Sequence, residues 1–307
     1  MPICERDPWR FQFFEKARCP ANVFIPTDDT DCAEWYPEQS WIYDKLKIAR
    51  SQDIRSGTCE YPPSKFPVFL KPNINLKGMG IDSRAIFSKA EFEKHSKSGQ
   101  MWMELFEGEH ISTDCAIVLG DIKWIRHATG VAWHEGMFKH WIIHARPMPE
   151  LENFLRNWAK QHMSSYVGMM NFETIAGHII ECHLRFADQW CDLYGSHWLE
   201  NLIDLYAKNC WNFDTSHDVE GYSVPLFAGH GGQFCHPPQQ AQAKIRAMPL
   251  VTSLQITFHE LRADELHPMP PGGFRLGIIN STNLEAGVQA RLELAKCFPT
   301  AKIMIPD

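Results

Sequence analysis

Asn171-Phe172-Glu173-Thr174-Ile175-Ala176-Gly177-His178-Ile179-Ile180-Glu181-Cys182-His183-Leu184-Arg185 decides how this chain is read. Two short apolar runs flank Ala176-Gly177-His178, the pattern of a β-hairpin. A loop at 176–178 sets Ile175 opposite Ile179 and Glu173 opposite Glu181. Side chains alternate faces along a strand, so His183 and Arg185 share the face of Glu181. Like charges directly opposite one another destabilise a sheet, so a positive group is expected between the two carboxylates. A divalent cation bridging them to a phosphate meets that need, because Mg²⁺ binds through one or two carboxylates plus substrate phosphates. A salt-bridged surface hairpin with Arg185 as counter-ion is the plainer alternative. A two-residue loop would instead pair Glu173 with Ile180 and turn Glu181 to the other face.

Composition narrows the class. The 307 residues are 44% hydrophobic and 22% charged, the balance of folded globular domains, and the length suits roughly two of them. A net charge of −7 argues against nucleic acid as the main partner, which calls for a basic surface. No apolar run approaches the ~20 residues that span a bilayer. The opening Met1-Pro2-Ile3-Cys4-Glu5-Arg6-Asp7 lacks the basic and apolar regions of a signal peptide. Ten cysteines without paired spacing read as reduced thiols in a cytoplasmic protein. A zinc site would draw on Cys182, His183, Cys210, His217, His230, Cys235 and His236, but the paired spacing of structural zinc sites is missing.

Outward from the hairpin, Pro149-Glu150-Leu151-Glu152 predicts a helix reaching about His162, with proline at its first position and acids in its first turn. Ser112–Leu119 and Ile122–Thr129 read as strands joined at Gly120-Asp121. Met101–Phe106 and Phe66–Pro72 read as strands, and Ser88-Lys89-Ala90-Glu91 as a capping box. A short helix is expected from about Ser40, and residues 1–40 show no sustained period. Residues 197–208 look helical, 212–240 loop-rich, and a helix capped by Asn283 follows strands at 252–258 and 274–279. The whole is an α+β chain with antiparallel sheets.

Two further stretches carry chemistry. Lys71 ends a strand before a loop with Asn73, Asn75, Lys77, Gly78 and Gly80, where an ammonium and backbone N–H groups can face a phosphate. It is not a Walker motif. In Met103-Glu104-Leu105-Phe106-Glu107-Gly108-Glu109 the backbone at 104–106 offers an adenine a donor and an acceptor, and Glu109 offers a ribose its acceptor oxygens. A mobile lysine loop and an acidic surface loop are the bland readings of these two. Arg126, His127, His134, His140 and His144 lie between these motifs and the hairpin, either lining a site or on the solvent face.

Taken in order, the sequence resembles the ATP-grasp superfamily of carboxylate–amine ligases. Asp44-Lys45, Pro67-Val68-Phe69-Leu70-Lys71-Pro72 with its glycine loop, Glu104 to Glu109, Asp114, Asn171-Phe172-Glu173 and Ile180 to Arg185 follow the family's order. The resemblance implies an α+β fold in which two subdomains sandwich ATP. It divides the chain into a reduced N-terminal region at 1–40, subdomains at 41–100 and 101–209, and a C-terminal extension at 210–307. Lys45 and Lys71 would contact the phosphates, under a loop holding Gly78 and Gly80. Glu104 and Leu105 would meet adenine, with Glu109 on the ribose. Glu173, Glu181 and His183 would form the metal side, and Arg185 with Lys71 would stabilise the transferred phosphoryl. The implied substrates are a small carboxylate and an amine, such as an amino acid or peptide.

Two departures stand out. The family's residue at His183 is usually asparagine, and imidazole is a poor ligand for Mg²⁺. His183 therefore stands outside the direct ligand set, or the site favours Mn²⁺, or the activity is altered toward an ATP-binding regulatory protein. The region before Lys45 is also much shorter than in the family. The missing substrate contacts would come from the C-terminal hundred residues, with the loop from Gly229 to His236 over the acceptor pocket, or from a second subunit of a homodimer.

Overall fold

In the computed structural model the described residues are 3–306, apart from 75, 77, 79, 217 and 261–268. Among them, nine strands form one antiparallel sheet. Its order is His178–His183, Val167–Ile175, His110–Val118, Asp121–Ala132, Phe138–Ile143, Gly221–Ala228, Phe274–Ser281 and Val251–Ile256, with Ile303–Met304 also pairing on Gly221–Ala228. A smaller antiparallel sheet runs Ser56–Thr58, Gln100–Glu104, Val68–Pro72 and Arg84–Ile86. Residues beyond 210 are thus not an appendage, because Gly221–Ala228 continues the large sheet by pairing with Phe138–Ile143 at Gly221↔Ile143 and Ser223↔Trp141.

The deciding hairpin differs from expectation in a way that preserves its chemistry. The turn is the two residues Ala176-Gly177, with φ of +51° and +79°, and Ile175 pairs with His178 rather than Ile179. Positive φ at both turn residues matches the right-handed strand twist, which is why Gly177 stands there. That turn alone would send Glu181 to the wrong face. The register shifts after Thr174↔Ile179, however, so that Ile180 bulges out and Glu173 pairs with Glu181. One extra residue on one strand restores the face that the shorter loop would have reversed.

The second hairpin turn falls at Leu119-Gly120, one residue earlier than the sequence suggests, with φ of +51° and +82°. Leucine is strained in this left-handed region, whereas asparagine visits it readily. Leu119 is also 64% exposed, so nothing in the core needs it. Leu119→Asn is expected to stabilise the protein by about 1 kcal/mol, read as a higher urea midpoint at unchanged slope.

Helix Pro149–His162 matches its prediction, and buries Leu151, Leu155, Trp158 and Ala159 on one face against the sheet. The Ser88 hydroxyl accepts from Glu91 N at 3.2 Å, while Glu91 accepts from Phe87 N at 2.7 Å. Asn283 caps Leu284–Ala295. The helix expected from Ser40 is a 3₁₀ turn, Ser40–Tyr43, followed by Lys45–Arg50 capped by Asp44. Among the elements without a clear sequence signal are helices Asp29–Trp35 and Gln239–Arg246 and strands Phe138–Ile143 and Gly221–Ala228.

Candidate active site

The small sheet faces the large one across a cavity of about 670 Å³, a volume typical of small-molecule sites. Phe69, Lys71, Gly78, Gly80 and Met103 line it from one side, and Glu173, Glu181, His183 and Arg185 from the other. The bulge at Ile180 does more than correct the register, since its carbonyl accepts from Lys71 Nζ at 2.7 Å. Lys71 and Lys45 are both 5% exposed, and Lys45 Nζ lies 2.8 Å from Glu181 Oε1. Burial pushes Lys71 down to about 8, with the Glu181 charge opposing it. At neutral pH the ammonium still prevails.

Each carboxylate of the hairpin is balanced by protein cations or donors. Glu181 has Lys45. Glu173 has His110 Nε2 at 3.1 Å and His183 Nε2 at 3.7 Å. Burial by itself would raise Glu173, but these imidazoles hold its carboxyl well below the usual range. Behind them lies Asp29, 4% exposed. It meets His183 Nδ1 at 2.9 Å, Arg185 Nη2 at 2.8 Å and Tyr43 OH at 3.1 Å. Burial opposes charge on His183 too, yet Asp29 outweighs it and raises the imidazole to about 9. His183 is therefore a fixed cation at neutral pH, and a doubly protonated ring has no lone pair for a metal.

Glu104 and Leu105 also line the cavity, at the end of Gln100–Glu104. Glu109 does not: it is exposed and outside the lining, close enough for its charge to act on His144. Asp114 lies beneath the site rather than in it. It is 1% exposed and accepts from Asn171 Nδ2 at 2.6 Å, from Ala187 N and from Tyr194 OH, tying Val167–Ile175 to the chain after Arg185. Arg126, His127, His134, His140 and His144 are all absent from the lining.

The loop from Gly229 to His236 does not cover the pocket, and this corrects the expectation. His230 is engaged by the Pro270 and Pro271 carbonyls and His236 by the Phe258 carbonyl. The C-terminal wall is built from strands, through Ser223, Pro225, Phe227, Arg275 and Ile278. Among the described residues no group of three or more His, Cys, Asp or Glu side chains is set to hold a metal. His217, named for zinc, lies outside the described residues.

Sequence reading missed several contributors and gave Phe106 only a backbone role. His110 stands beside Glu173 on the next strand, and an isolated histidine gave no signal for it. Phe106 stacks on His178 at 4.3 Å and 16°, closing the mouth between the two sheets. Asp29 sits in a helix too short to show a period. Glu5, Asp7 and Arg10 line the cavity from the N-terminal segment.

No protein-family model matches the chain, and no curated protein matches its sequence. Solved structures do match in fold. An L-amino acid ligase from Bacillus licheniformis superposes with a TM-score of 0.66 at 12% identity, over 97% of this chain and 84% of that one. An N5-carboxyaminoimidazole ribonucleotide synthetase from Thermus thermophilus gives 0.60 at 12% identity, over 94% and 84%. The biotin carboxylase domain of the Hydrogenobacter thermophilus 2-oxoglutarate carboxylase, solved with MgADP, ADP and bicarbonate, gives 0.55 at 10% identity, over 90% and 71%. With its two antiparallel sheets closing on a lysine- and glutamate-lined cleft, the chain has the α+β fold of the ATP-grasp superfamily.

Proposed function

We propose that the protein is an ATP- and Mg²⁺-dependent ligase that joins a carboxylate to an amine through an acyl phosphate, releasing ADP and phosphate. The observation that carries this reading is the Ile180 bulge. It sets Glu173 and Glu181 side by side facing Lys45 and Lys71, in a cleft that also holds Arg185. Nothing in packing requires that concentration of charge.

The donor set suits Mg²⁺. Glu173 and Glu181 bring two carboxylates side by side on the hairpin face of the cavity, and phosphate oxygens would complete an octahedron. Glu173 and Glu181 would hold the ion, which supplies neutralisation of the β- and γ-phosphate charge when bound. His183, charged and turned to Asp29, keeps Glu173 and Arg185 in place and is not a ligand. An oxygen-only set accommodates Mg²⁺ and Mn²⁺ alike.

Lys45 and Lys71 bind the phosphates as buried ammonium groups, with Gly78 and Gly80 lining the same cleft. Adenine lies between the small sheet and the hinge at Glu104-Leu105. Arg185, oriented by Asp29, faces the transferred phosphoryl and the carboxylate that attacks it. The carboxylate oxygen bonds to the γ-phosphorus as ADP leaves; the amine then attacks the acyl carbon, the C–O bond to phosphate breaks, and the amine proton passes to solvent. Charge stabilisation and positioning supply most of the acceleration.

ATP-dependent phosphate release in the presence of mixed amino acids and small carboxylates tests the reading. Tight ATP binding with no release under any mixture would select a regulatory ATP-binding protein instead. Lys71→Ala removes one charge-assisted contact, worth roughly 1.5–3 kcal/mol, and is expected to weaken ATP by about tenfold to a hundredfold in calorimetry. Unchanged affinity would remove Lys71 from the nucleotide site.

A further inference from the structure

The cleft continues past Arg185 toward the C-terminal strands, where Arg275 of Phe274–Ser281 stands in its wall. Arg275 is 5% exposed, and neither its Nε nor its Nη2 has a hydrogen-bond partner among the described residues. The neighbouring cations of the cleft are engaged. Lys45 meets Glu181, Lys71 the Ile180 carbonyl, Arg185 Asp29, and Arg6 Asp31. Asp188 and Asp7, the acids whose charge Arg275 feels, are held by Arg10 at 2.6 and 2.9 Å. Burial lowers Arg275 to about 10, which leaves it charged at neutral pH. An unpaired buried guanidinium is costly, and no fold needs one unless an anion joins it.

Three neighbours narrow the anion. Asp188 feels both Arg10 and Arg185, while Arg275 feels Arg10 and Asp188. Arg275 and Arg185 thus both act on the Arg10–Asp188 pair, and both line the cavity. Glu5 stands beside the Arg10–Asp188 pair, where burial and the Asp188 charge push its carboxyl up to about 8, and its Oε2 is buried with no partner among the described residues. The cavity wall therefore presents an unsatisfied guanidinium at Arg275 and an unsatisfied carboxyl oxygen at Glu5. Phe138, Trp141 and Trp190 line the same cavity as an aromatic wall, with Phe138 and Trp141 rings 4.3 Å apart and Trp141 and Trp190 rings 5.2 Å apart.

We propose that Arg275 anchors a second carboxylate that is not phosphorylated: the free α-carboxylate of an amino acid that serves as the amine. Its amino group meets Glu5, between the activated carboxylate at Arg185 and its own carboxylate at Arg275, and its side chain packs on the Phe138–Trp141–Trp190 wall. The substrate class is an α-amino acid with an apolar side chain. The orientation rests on the ligase reading; the carboxylate site does not, so the test is one of binding without turnover.

The twenty L-amino acids, each beside its C-terminal amide, are titrated into the protein holding Mg²⁺ and a non-hydrolysable ATP analogue. Apolar amino acids are expected to raise the melting temperature, and their amides, which lack the carboxylate, are not. Arg275→Gln should weaken the best amino acid by roughly tenfold to a hundredfold, with ATP-analogue affinity unchanged and the unliganded melting temperature equal or higher. A structural arginine would lower that temperature instead. The proposal is overturned if no amino acid binds, if an amide binds as well as its acid, or if Arg275→Gln binds equally. The acid–amide comparison uses the wild-type protein alone, so it decides the matter even if the variant does not fold. Hydroxamate formation by wild type with hydroxylamine tests the ligase reading separately.

Discussion

Glu181→Gln is expected to lower metal-dependent ATP turnover by roughly a hundredfold to a thousandfold, the range for loss of one charge-stabilising group. Shape is kept, and the amide oxygen still accepts from Lys45, whose Nζ now sits 2.8 Å from the carboxylate. The anionic charge that faces the phosphates is gone. Lys45 keeps a hydrogen bond but loses its counter-charge, so a modest fall in melting temperature is expected beside a collapse of phosphate release, and the two together separate chemistry from folding. Normal turnover by this variant would remove the hairpin from the mechanism.

Stability of the nucleotide-free protein is expected to fall as pH rises from about 6.5 to about 9. The sign follows from His183. Its folded value is raised to about 9 because Asp29 outweighs burial, whereas an unfolded histidine titrates near 6.5. The stabilisation is complete below the unfolded value and is lost as pH climbs through the folded one. A shift of that size is on the order of 3 kcal/mol. Lys71, lowered to about 8 by burial, gives the opposite slope above pH 8, so the comparison is made against His183→Asn. Asparagine removes the titrating cation but leaves Arg185 on Asp29, and the variant's urea stability should lose this decline. Parallel pH profiles for the two proteins would show that His183 is neutral in the fold.

Much of the fold was legible because local chemistry and tertiary role agree. Pro149 with Glu150 and Glu152 starts a helix in any context, and the bounds matched. Glu173, Glu181, His183 and Arg185 share a face as alternation predicts. The route to that face was not legible, because Ala176-Gly177 sets a two-residue turn and only the Ile180 bulge recovers the register. No side-chain pattern announces a bulge; it became visible through the Lys71 contact on the freed carbonyl.

Pro225 hid the strand Gly221–Ala228, since a proline argues against a central strand. It is tolerated here because on one edge the partners reach only Gly221–Ser223 and Phe227–Ala228. Residues 224–226 have no strand partner on that edge among the described residues, and Pro225 borders the cavity instead. Asp29 was hidden by the brevity of its seven-residue helix. Glu109 was placed on the cavity from motif order, but the side chain reaching the hairpin from that stretch is His110.

Carboxyl-¹⁸O-labelled L-amino acids, incubated with ATP, Mg²⁺ and the protein, give the plainest test of the acyl-phosphate route. Attack by a carboxylate oxygen on the γ-phosphorus carries that oxygen into the phosphate released when the amine displaces it. Phosphorus NMR should then show inorganic phosphate bearing one ¹⁸O atom for each turnover. Phosphate released during turnover with no ¹⁸O would mean that water attacks ATP, and would contradict the mechanism proposed for this cleft.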